Sequence, residues 1–184
     1  MILYSFSALA IEENDVNFNG GVGYAGSRGV VGFSVDRFYT PNHALSVAFG
    51  ADFVGATSTV GYKYFTEKTN NSGTVWDKCL FIFDCDTHAY FGGSAQYAGK
   101  TTLKVSENGV EQRAYDIDPK WLAIASMGLR TVYKSNMTLD LELSYRSIFA
   151  GGKSMQTYGA PVEDEYTEVG FRTLGANAAI GYMF

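Results

Sequence analysis

The sequence predicts an all-β chain that closes into a transmembrane, antiparallel, up-and-down β-barrel of about eight strands. Three observations predict this fold. Apolar and polar residues alternate with a period of two in at least seven segments. The polar face of these segments combines small residues with charges of both signs. The last segment carries an alternating apolar row that ends in aromatic residues at the C-terminus.

Length and composition exclude several other classes of protein. The chain has 184 residues, which suffices for one domain or one small closed barrel. No stretch approaches the roughly 18 consecutive apolar residues that a membrane-spanning helix requires. The net charge of −5 provides no basic patch for nucleic acid. Aromatic residues make up 15% of the chain, which is high for an ordinary soluble domain.

The N-terminus has features of an export signal. Residues Ile2–Ala10 are apolar and end in Ala8-Leu9-Ala10, a small-x-small pattern typical of signal-peptidase cleavage. Polar residues follow at once, although no basic segment precedes the apolar run. We interpret residues 1–10 as the remnant of a signal peptide and residues 11–184 as a single barrel domain. The alternative is an N-terminal segment that the mature protein retains.

The first two predicted strands differ in the clarity of their alternation. Val16–Tyr24 alternates weakly, whereas Val31–Tyr39 places large apolar residues opposite Gly32, Ser34 and Asp36. The residues Thr40-Pro41-Asn42-His43 then predict a tight turn.

The middle of the chain allows two interpretations. In the first, a strand ends near Val54, the chain turns at Gly55–Ser58, and the next strand returns along Thr59–Thr66. In the second, Ala44–Thr66 is one long strand with a bulge near Gly55. The second interpretation continues with an outer loop at Glu67–Gly73, a strand at Thr74–Phe83 and a turn at Asp84–Thr87. We favour the second, because it keeps the turns short and the strand count at about eight.

The second half of the chain alternates more clearly. Ala89–Tyr97 is a weaker strand candidate, and Trp121–Tyr133 and Thr138–Phe149 are strong ones, separated by a turn at Lys134-Ser135-Asn136-Met137. Two longer polar segments, Gly99–Pro119 and Gly151–Glu165, are predicted to be loops.

The charged residues on the polar faces predict the character of the barrel interior. A narrow lumen requires small side chains together with charges that neutralise one another. We predict a static interior network that keeps the barrel rigid; a narrow ion path is the alternative. The residues are Asp36, Asp52, Lys63, Arg130, Asp140, Glu142 and Arg146.

Aromatic residues near the predicted turns and the terminus are expected to form an interfacial girdle: Phe38, Tyr39, Tyr133, Tyr182 and Phe184. The last strand places Leu174, Ala176, Ala178, Ile180, Tyr182 and Phe184 on one face. This ending resembles the terminal signature of bacterial outer-membrane barrels, and the topology is similar to that of the OmpA, OmpX and opacity-type small barrels. The resemblance implies an outer-membrane location in a Gram-negative bacterium, with short turns facing the periplasm. It also implies that Ile180, Tyr182 and Phe184 form the signal for the barrel-assembly machinery.

The cysteines and histidines predict little chemistry. Cys79 and Cys85 lie six positions apart, and in an exported protein they predict one local disulfide, with two unlinked thiols as the alternative. A metal site is not expected, because the chain has only two histidines, His43 and His88. Both are interpreted as solvated turn residues, and neither belongs to a nucleophile motif. We therefore expect no enzymatic activity, no catalytic residues and no cofactor.

The first functional hypothesis is a non-enzymatic outer-membrane barrel with a structural, adhesive or partner-binding role through its extracellular loops. The expected partners are outer-membrane lipids including lipopolysaccharide, the assembly machinery and another envelope protein, but not nucleic acid. The second hypothesis is a narrow channel for ions or small solutes, and the third is a lipid-modifying enzyme. A soluble lipocalin-like barrel is the alternative fold, but neither Trp76 nor Trp121 lies near the N-terminus, where that family has its Gly-x-Trp motif.

Overall fold

The computed structural model describes residues 11–52, 55–66, 85–107, 110–151, 154–158 and 173–184. Their strands are β1 Val16–Tyr24, β2 Val31–Thr40, β3 His43–Asp52, β4 Gly55–Phe65, β5 Cys85–Ala98, β6 Thr101–Glu107, β7 Val110–Ile117, β8 Lys120–Tyr133, β9 Met137–Gly151, β10 Ser154–Tyr158 and β11 Thr173–Met183. None of the described residues forms a helix that is long and apolar enough to cross a membrane. The N-terminal residues 1–10 lie outside the described residues, so their interpretation as a signal peptide stays a prediction.

Eight of these strands form a closed antiparallel barrel in the order β1-β2-β3-β4-β5-β8-β9-β11. The first and last strands close it, with pairs that run from Asn17 opposite Met183 to Tyr24 opposite Ala176. Closure removes the unpaired strand edges that would be very costly in lipid. The prediction of an antiparallel up-and-down barrel with about eight strands is confirmed.

The two ends of the barrel differ. At the turn end, residues 41–42 join β2 to β3 and residues 134–136 join β8 to β9. The same end holds the start of β1 and the end of β11, where Val16 and Phe184 exchange backbone hydrogen bonds. At the opposite, loop end, residues 25–30 join β1 to β2.

Apolar side chains cover the outside of the barrel. Large apolar residues at alternate positions are exposed, including Val60 and Leu143, each 62% exposed, and Leu174, which is 76% exposed. A water-soluble protein rarely exposes so extensive an apolar surface. With polar side chains on the inner face, this arrangement is that of a barrel surrounded by lipid.

Three strands continue beyond the barrel at the loop end. They form a sheet in the order β10-β7-β6, in which β6 and β7 make an antiparallel hairpin. Short links connect β6 to β5 and β7 to β8, so the sheet prolongs one side of the wall; we call it the sheet extension. The expectation that Gly99–Pro119 is a loop was therefore wrong, and Gly151–Glu165 likewise contains β10. These strands lie outside the barrel wall that meets lipid, so no alternation is imposed on their sequence.

The favoured interpretation of the middle of the chain was also wrong. Residues 44–66 are not one bulged strand but two strands, β3 and β4, which pair from His43 opposite Tyr64 to Asp52 opposite Gly55. Gly55 has a φ of +106°, which a glycine adopts readily at such a reversal. The phase shift between Phe53 and Val60 therefore marks a hairpin, because a reversal and a bulge shift an alternating pattern in the same way.

The β3–β4 hairpin also determines the end of the barrel at which β4 connects to β5. Strand β4 ends and β5 begins at the turn end, so the segment between them joins two strands there. The predicted turn at Asp84–Thr87 was wrong, because Cys85–Thr87 form the start of β5. The predicted outer loop Glu67–Gly73 and strand Thr74–Phe83 lie outside the described residues, as does Cys79.

Candidate functional site

An ion network occupies the centre of the barrel. The guanidinium of Arg130, on β8, donates hydrogen bonds to the carboxylates of Asp36 on β2 and Asp140 on β9. Lys63 on β4 approaches Asp36 at 3.0 Å. Arg28, from the β1–β2 connection, approaches Asp140 at 3.1 Å. All five side chains are almost fully buried, and the network links strands from opposite sides of the barrel. Burying these charges requires such pairing, since an unpaired ion in the interior is strongly unfavourable.

Aromatic rings surround the central guanidinium. The Cζ atom of Arg130 lies 5.0 Å from the ring centroid of Phe65 and 6.0 Å from those of Phe38 and Tyr90. Arginine binds such ring faces through its delocalised charge. The three rings belong to an apolar cluster that fills the lumen toward the turn end, with members Ile11, Phe38, Ala44, Phe65, Tyr90, Val132 and Met183.

The connection between β1 and β2 folds into the lumen at the loop end, and we call residues 25–30 the inner loop. Ala25 and Arg28 are fully buried, and Ser27 is 8% exposed. The Ser27 carbonyl accepts a hydrogen bond of 2.8 Å from Thr59 Oγ1, and the Ala25 carbonyl accepts one from Ser144. The inner loop is thus held by side chains from several strands of the wall.

Small residues in the wall make room for the inner loop. A Cβ atom built on Gly50 would lie 2.0 Å from the Arg28 carbonyl oxygen, and one on Gly32 would lie 2.4 Å from the same atom. Real Cβ atoms do not approach backbone oxygens so closely. The glycines of β2 and β3 therefore allow the backbone of the inner loop to contact the backbone of the wall.

Glu142 joins the inner loop to the ion network. Its carboxylate accepts hydrogen bonds from Ser27 Oγ at 3.1 Å, Asn177 Nδ2 at 3.2 Å and Tyr90 Oη at 3.2 Å. Tyr90 Oη also lies 2.8 Å from Asp140 Oδ1. A buried carboxylate needs several donors, and neutral donors from three elements bind Glu142 here, while Arg28 adds a favourable electrostatic interaction.

A second ion pair lies nearer the loop end. Arg146 on β9 donates to Asp52 on β3, and both side chains are almost fully buried. Neutral side chains fill part of the turn-end half, where Thr138 Oγ1 donates to the amide oxygens of Asn17 and Asn19 at 3.1 Å. Ala98, Ile117 and Leu122 form an apolar cluster beneath the sheet extension.

The structure places all seven predicted interior residues inside the barrel: Asp36, Asp52, Lys63, Arg130, Asp140, Glu142 and Arg146. It brings them together in two ion-paired groups and the hydrogen-bonded Glu142. Sequence reasoning missed Arg28, which completes the central group. Arg28 belongs to a connection rather than an alternating segment, so the alternation gives no signal for its position.

Apart from His88, the buried acidic and basic side chains of the described residues comprise five acids and five bases. The acids are Asp36, Asp52, Asp86, Asp140 and Glu142, and the bases are Arg28, Lys63, Lys120, Arg130 and Arg146. The described interior is therefore close to neutral.

Two expectations about single residues were wrong. Phe38 is not part of an interfacial girdle but is fully buried in the lumen, because its neighbour Tyr39 occupies the outer face. Neighbouring residues on a strand point to opposite faces, so only one of the two can face lipid. His88 is not a solvated turn residue: it lies on β5, is 6% exposed, and its Nδ1 lies 3.3 Å from the Thr66 carbonyl oxygen.

The remaining predicted residues lie at the turn end or close to it. His43 begins β3, and its ring contacts those of Tyr39, Tyr62 and Tyr64. Ile180, Tyr182 and Phe184 are exposed on the outer face of the closing strand. Their role as an assembly signal stays a prediction, as does the Cys79–Cys85 disulfide. Within the described part of the chain, no group of three or more acidic, histidine or cysteine side chains is placed to hold a metal ion.

Comparison with solved structures gives similar barrels at low sequence identity. The N-terminal β-barrel domain of Pseudomonas aeruginosa OprF matches with 15% identity and a TM-score of 0.52, covering 94% of this chain and 98% of that one. A major outer membrane protein from Thermus thermophilus matches with 14% identity and a TM-score of 0.43, covering 92% and 99%. The outer membrane protein AlkL, determined in DMPC bilayers, matches with 12% identity and a TM-score of 0.45, covering 100% and 96%. No protein-family model and no curated protein sequence matches the chain. The likeness to the OprF domain shows that the chain has the fold of the small outer-membrane β-barrels.

Proposed function

We propose that this chain is a non-enzymatic, integral outer-membrane barrel with a structural and partner-binding role. In this proposal the barrel is a rigid membrane scaffold, and the sheet extension is the surface that contacts a partner. The filled interior is the observation that carries the proposal. A pore would require a continuous polar path, whereas here Arg130 bridges strands across the lumen and the inner loop packs against the wall.

The packing of the lumen favours a scaffold over a channel. Toward the turn end, Ile11, Phe38 and Phe65 are buried in one apolar cluster. Apolar side chains in a narrow barrel exclude water and so oppose the passage of ions. Ion pairs between strands also resist changes in the shape of the barrel, which suits an element that must hold a binding surface in place.

The sheet extension supports the binding part of the proposal. Its hairpin β6–β7 pairs from Thr101 opposite Ile117 to Glu107 opposite Val110, and it continues two strands of the barrel. Binding residues are often found on segments that a rigid scaffold holds outside its core. The sequence of this region is charged, with Lys104, Glu107, Glu111 and Arg113, which suits a polar partner. The partner classes we propose are another envelope protein and the lipopolysaccharide headgroups at the loop end, in addition to the assembly machinery during biogenesis.

The placement of the histidines supports a non-enzymatic role. The side chain of His88 is buried on the inner side of the barrel wall, whereas His43 lies on the outer surface at the turn end. A hydrolytic site needs a nucleophile within hydrogen-bond reach of a base and accessible to substrate. His88 contacts a backbone carbonyl, and His43 contacts the hydroxyl of Tyr62, which is not a typical hydrolytic nucleophile.

Removal of the hairpin tests the proposal. Ala98 and Lys120 pair directly, so a two-residue Asn-Gly turn can replace residues 99–119 and leave β5 and β8 intact. The full chain and the shortened chain are each purified in mild detergent from native outer membranes, and co-migrating molecules are identified by mass spectrometry. We expect the full chain to retain a stoichiometric companion that the shortened chain loses. A companion retained equally by both, or by neither, contradicts the role of the sheet extension.

A further inference from the structure

The outer surface at the turn end carries a group of polar side chains that the proposed function does not use. These are Arg37, Tyr39, His43, Tyr62 and Tyr64, and we call them the turn-end patch. They lie on three adjacent strands, β2, β3 and β4, and all occupy the outer face. From this arrangement we propose that the turn-end patch binds the phosphate group of a membrane phospholipid.

Arg37 is the first observation. It stands in the outer apolar row of β2, and its neighbours in register are Val16 on β1 and Leu45 on β3. Its side chain is exposed, and no hydrogen bond or ion pair joins it to any part of the chain that the structure describes. A guanidinium on the lipid-facing side extends toward the membrane surface and its anions. The planar fork of five donors fits two oxygens of a phosphate group.

His43 is the second observation. Its ring centroid lies 5.2 Å from that of Tyr64, 5.8 Å from that of Tyr62 and 6.1 Å from that of Tyr39. Its Nδ1 is hydrogen-bonded to the hydroxyl of Tyr62. This bond occupies one ring nitrogen and restrains the ring, which leaves Nε2 as the ring nitrogen available to a ligand. A histidine held in this way presents a second donor for phosphate.

The register brings these two donors to one place. Arg37 is opposite Leu45, and His43 lies two residues before Leu45 on the same strand, so Arg37 and His43 are diagonal neighbours. Diagonal neighbours on one face are separated by about 7–8 Å between Cα atoms. At this separation the long side chain of Arg37 and the ring of His43 can bind the same phosphate group. Tyr39 and Tyr64 flank His43 and are 43% exposed, as expected of rings at the level of lipid headgroups.

Charge favours an anion at the patch. The outer faces of β2, β3 and β4 carry no acidic residue in the described strands, because Asp36 and Asp52 both face the lumen. Among the described residues at this end, acids also stand in the segment before β1, where Asp15 is joined to Phe38 through its backbone and its side chain accepts a hydrogen bond from the Glu12 amide. The apolar residues Leu45 and Phe91, next to the patch, are exposed where the acyl chains of the same lipid would lie. A lipid therefore fits better than a soluble phosphate.

This inference rests on the membrane location of the proposed function, and the two histidines of the chain allow both to be tested together. The protein is labelled with ¹⁵N at histidine and folded in maltoside micelles, and phosphatidylglycerol is added. We expect the ring signals of His43 to shift while those of the buried His88 stay in place. The shift should be lost in Arg37→Gln and kept in Lys134→Gln, which removes an exposed cation from another turn at the same end. In native mass spectrometry, the retained phospholipid should fall at least fivefold in Arg37→Gln and in His43→Phe.

Several results would overturn the inference. A His43 signal that does not move, or that moves equally with inorganic phosphate alone, contradicts a lipid site. Equal lipid retention in Arg37→Gln and Lys134→Gln contradicts the role of Arg37. The mobility of each unboiled variant on a denaturing gel shows separately whether the barrel has formed, so failure of the membrane fold and failure of the lipid site give different results.

Discussion

The guanidinium of Arg130 holds together carboxylates that the barrel brings from β2 and β9, and three aromatic rings enclose it. At this scale, stability depends on the pairing of each buried charge. Removing one member of a buried pair leaves an uncompensated ion and costs about 3–5 kcal/mol, more than the pair itself contributes.

Replacement of Arg130 by Met tests this dependence. The variant leaves Asp36 and Asp140 close together without their shared cation, so we expect a marked loss of stability, by about 3–5 kcal/mol. The measurement is the urea midpoint of unfolding in micelles. Adding Asp36→Asn and Asp140→Asn should restore part of the loss. A midpoint equal to that of the exposed control Lys134→Met would contradict the account.

Single residues also show how far the sequence could be interpreted. The positions of Asp36, Arg130 and Asp140 follow from alternation, because each stands on the polar face of a clear strand. Arg28 could not be found in this way, since its side chain enters the lumen from a connection. Phe38 was misplaced because composition near a turn suggested a girdle, while its parity on β2 places it inside.

At the scale of elements, the inner loop depends on the glycines that face it. Gly50 leaves space for the carbonyl of Arg28, whereas a Cβ on Gly93 of β5 would meet nothing within 4 Å. The inner loop also contains Ala25 and Gly29 at positive φ, so its path is fixed by a tight backbone conformation. The inner loop can therefore pack against the barrel wall only if position 50 on β3 has no side chain.

Gly50→Ala is expected to displace the inner loop from the lumen, because its Cβ would lie 2.0 Å from a backbone oxygen. The measurement uses Ser27→Cys in a chain in which both native cysteines are replaced by serine. The buried thiol should resist a membrane-impermeant maleimide in the parent and react in Gly50→Ala. The matched control Gly93→Ala should behave as the parent does. Equal protection of the thiol in all three would contradict the proposed fit.

Elements differ in how clearly the sequence predicts them. Strands β8, β9 and β11 are evident in the sequence because one face of each contacts lipid and the other faces the lumen. This arrangement requires apolar and polar residues to alternate strictly. The β3–β4 hairpin was misread because its turn is short and two alternating strands adjoin it. Strands β6, β7 and β10 extend beyond the barrel, where no lipid imposes an apolar row, and so they lack the signal on which the prediction depended.

In the whole molecule, closure of the barrel and the packing of its interior both stabilise the fold. Pairing of β1 with β11 leaves the barrel without an edge, and the interior side chains bridge its walls. No strand can leave such a barrel without exposing unpaired backbone groups to lipid, so we expect the barrel to unfold as a unit.

The gel mobility of the intact protein tests closure. Unboiled protein should migrate differently from boiled protein on a denaturing gel, because a closed barrel resists the detergent at room temperature. A chain that ends before Thr173 lacks the closing strand and should show one mobility only. Identical mobility of the boiled and unboiled full chain would contradict a closed membrane barrel.

Conductance distinguishes a filled barrel that serves as a scaffold from a barrel that forms a channel. Purified protein is inserted into planar lipid bilayers, and the current is recorded under an applied voltage. We expect no stepwise current, because the ion network, the apolar cluster at the turn end and the inner loop together occupy the lumen. Reproducible, stepwise currents from the unmodified protein would contradict it and would indicate a channel instead.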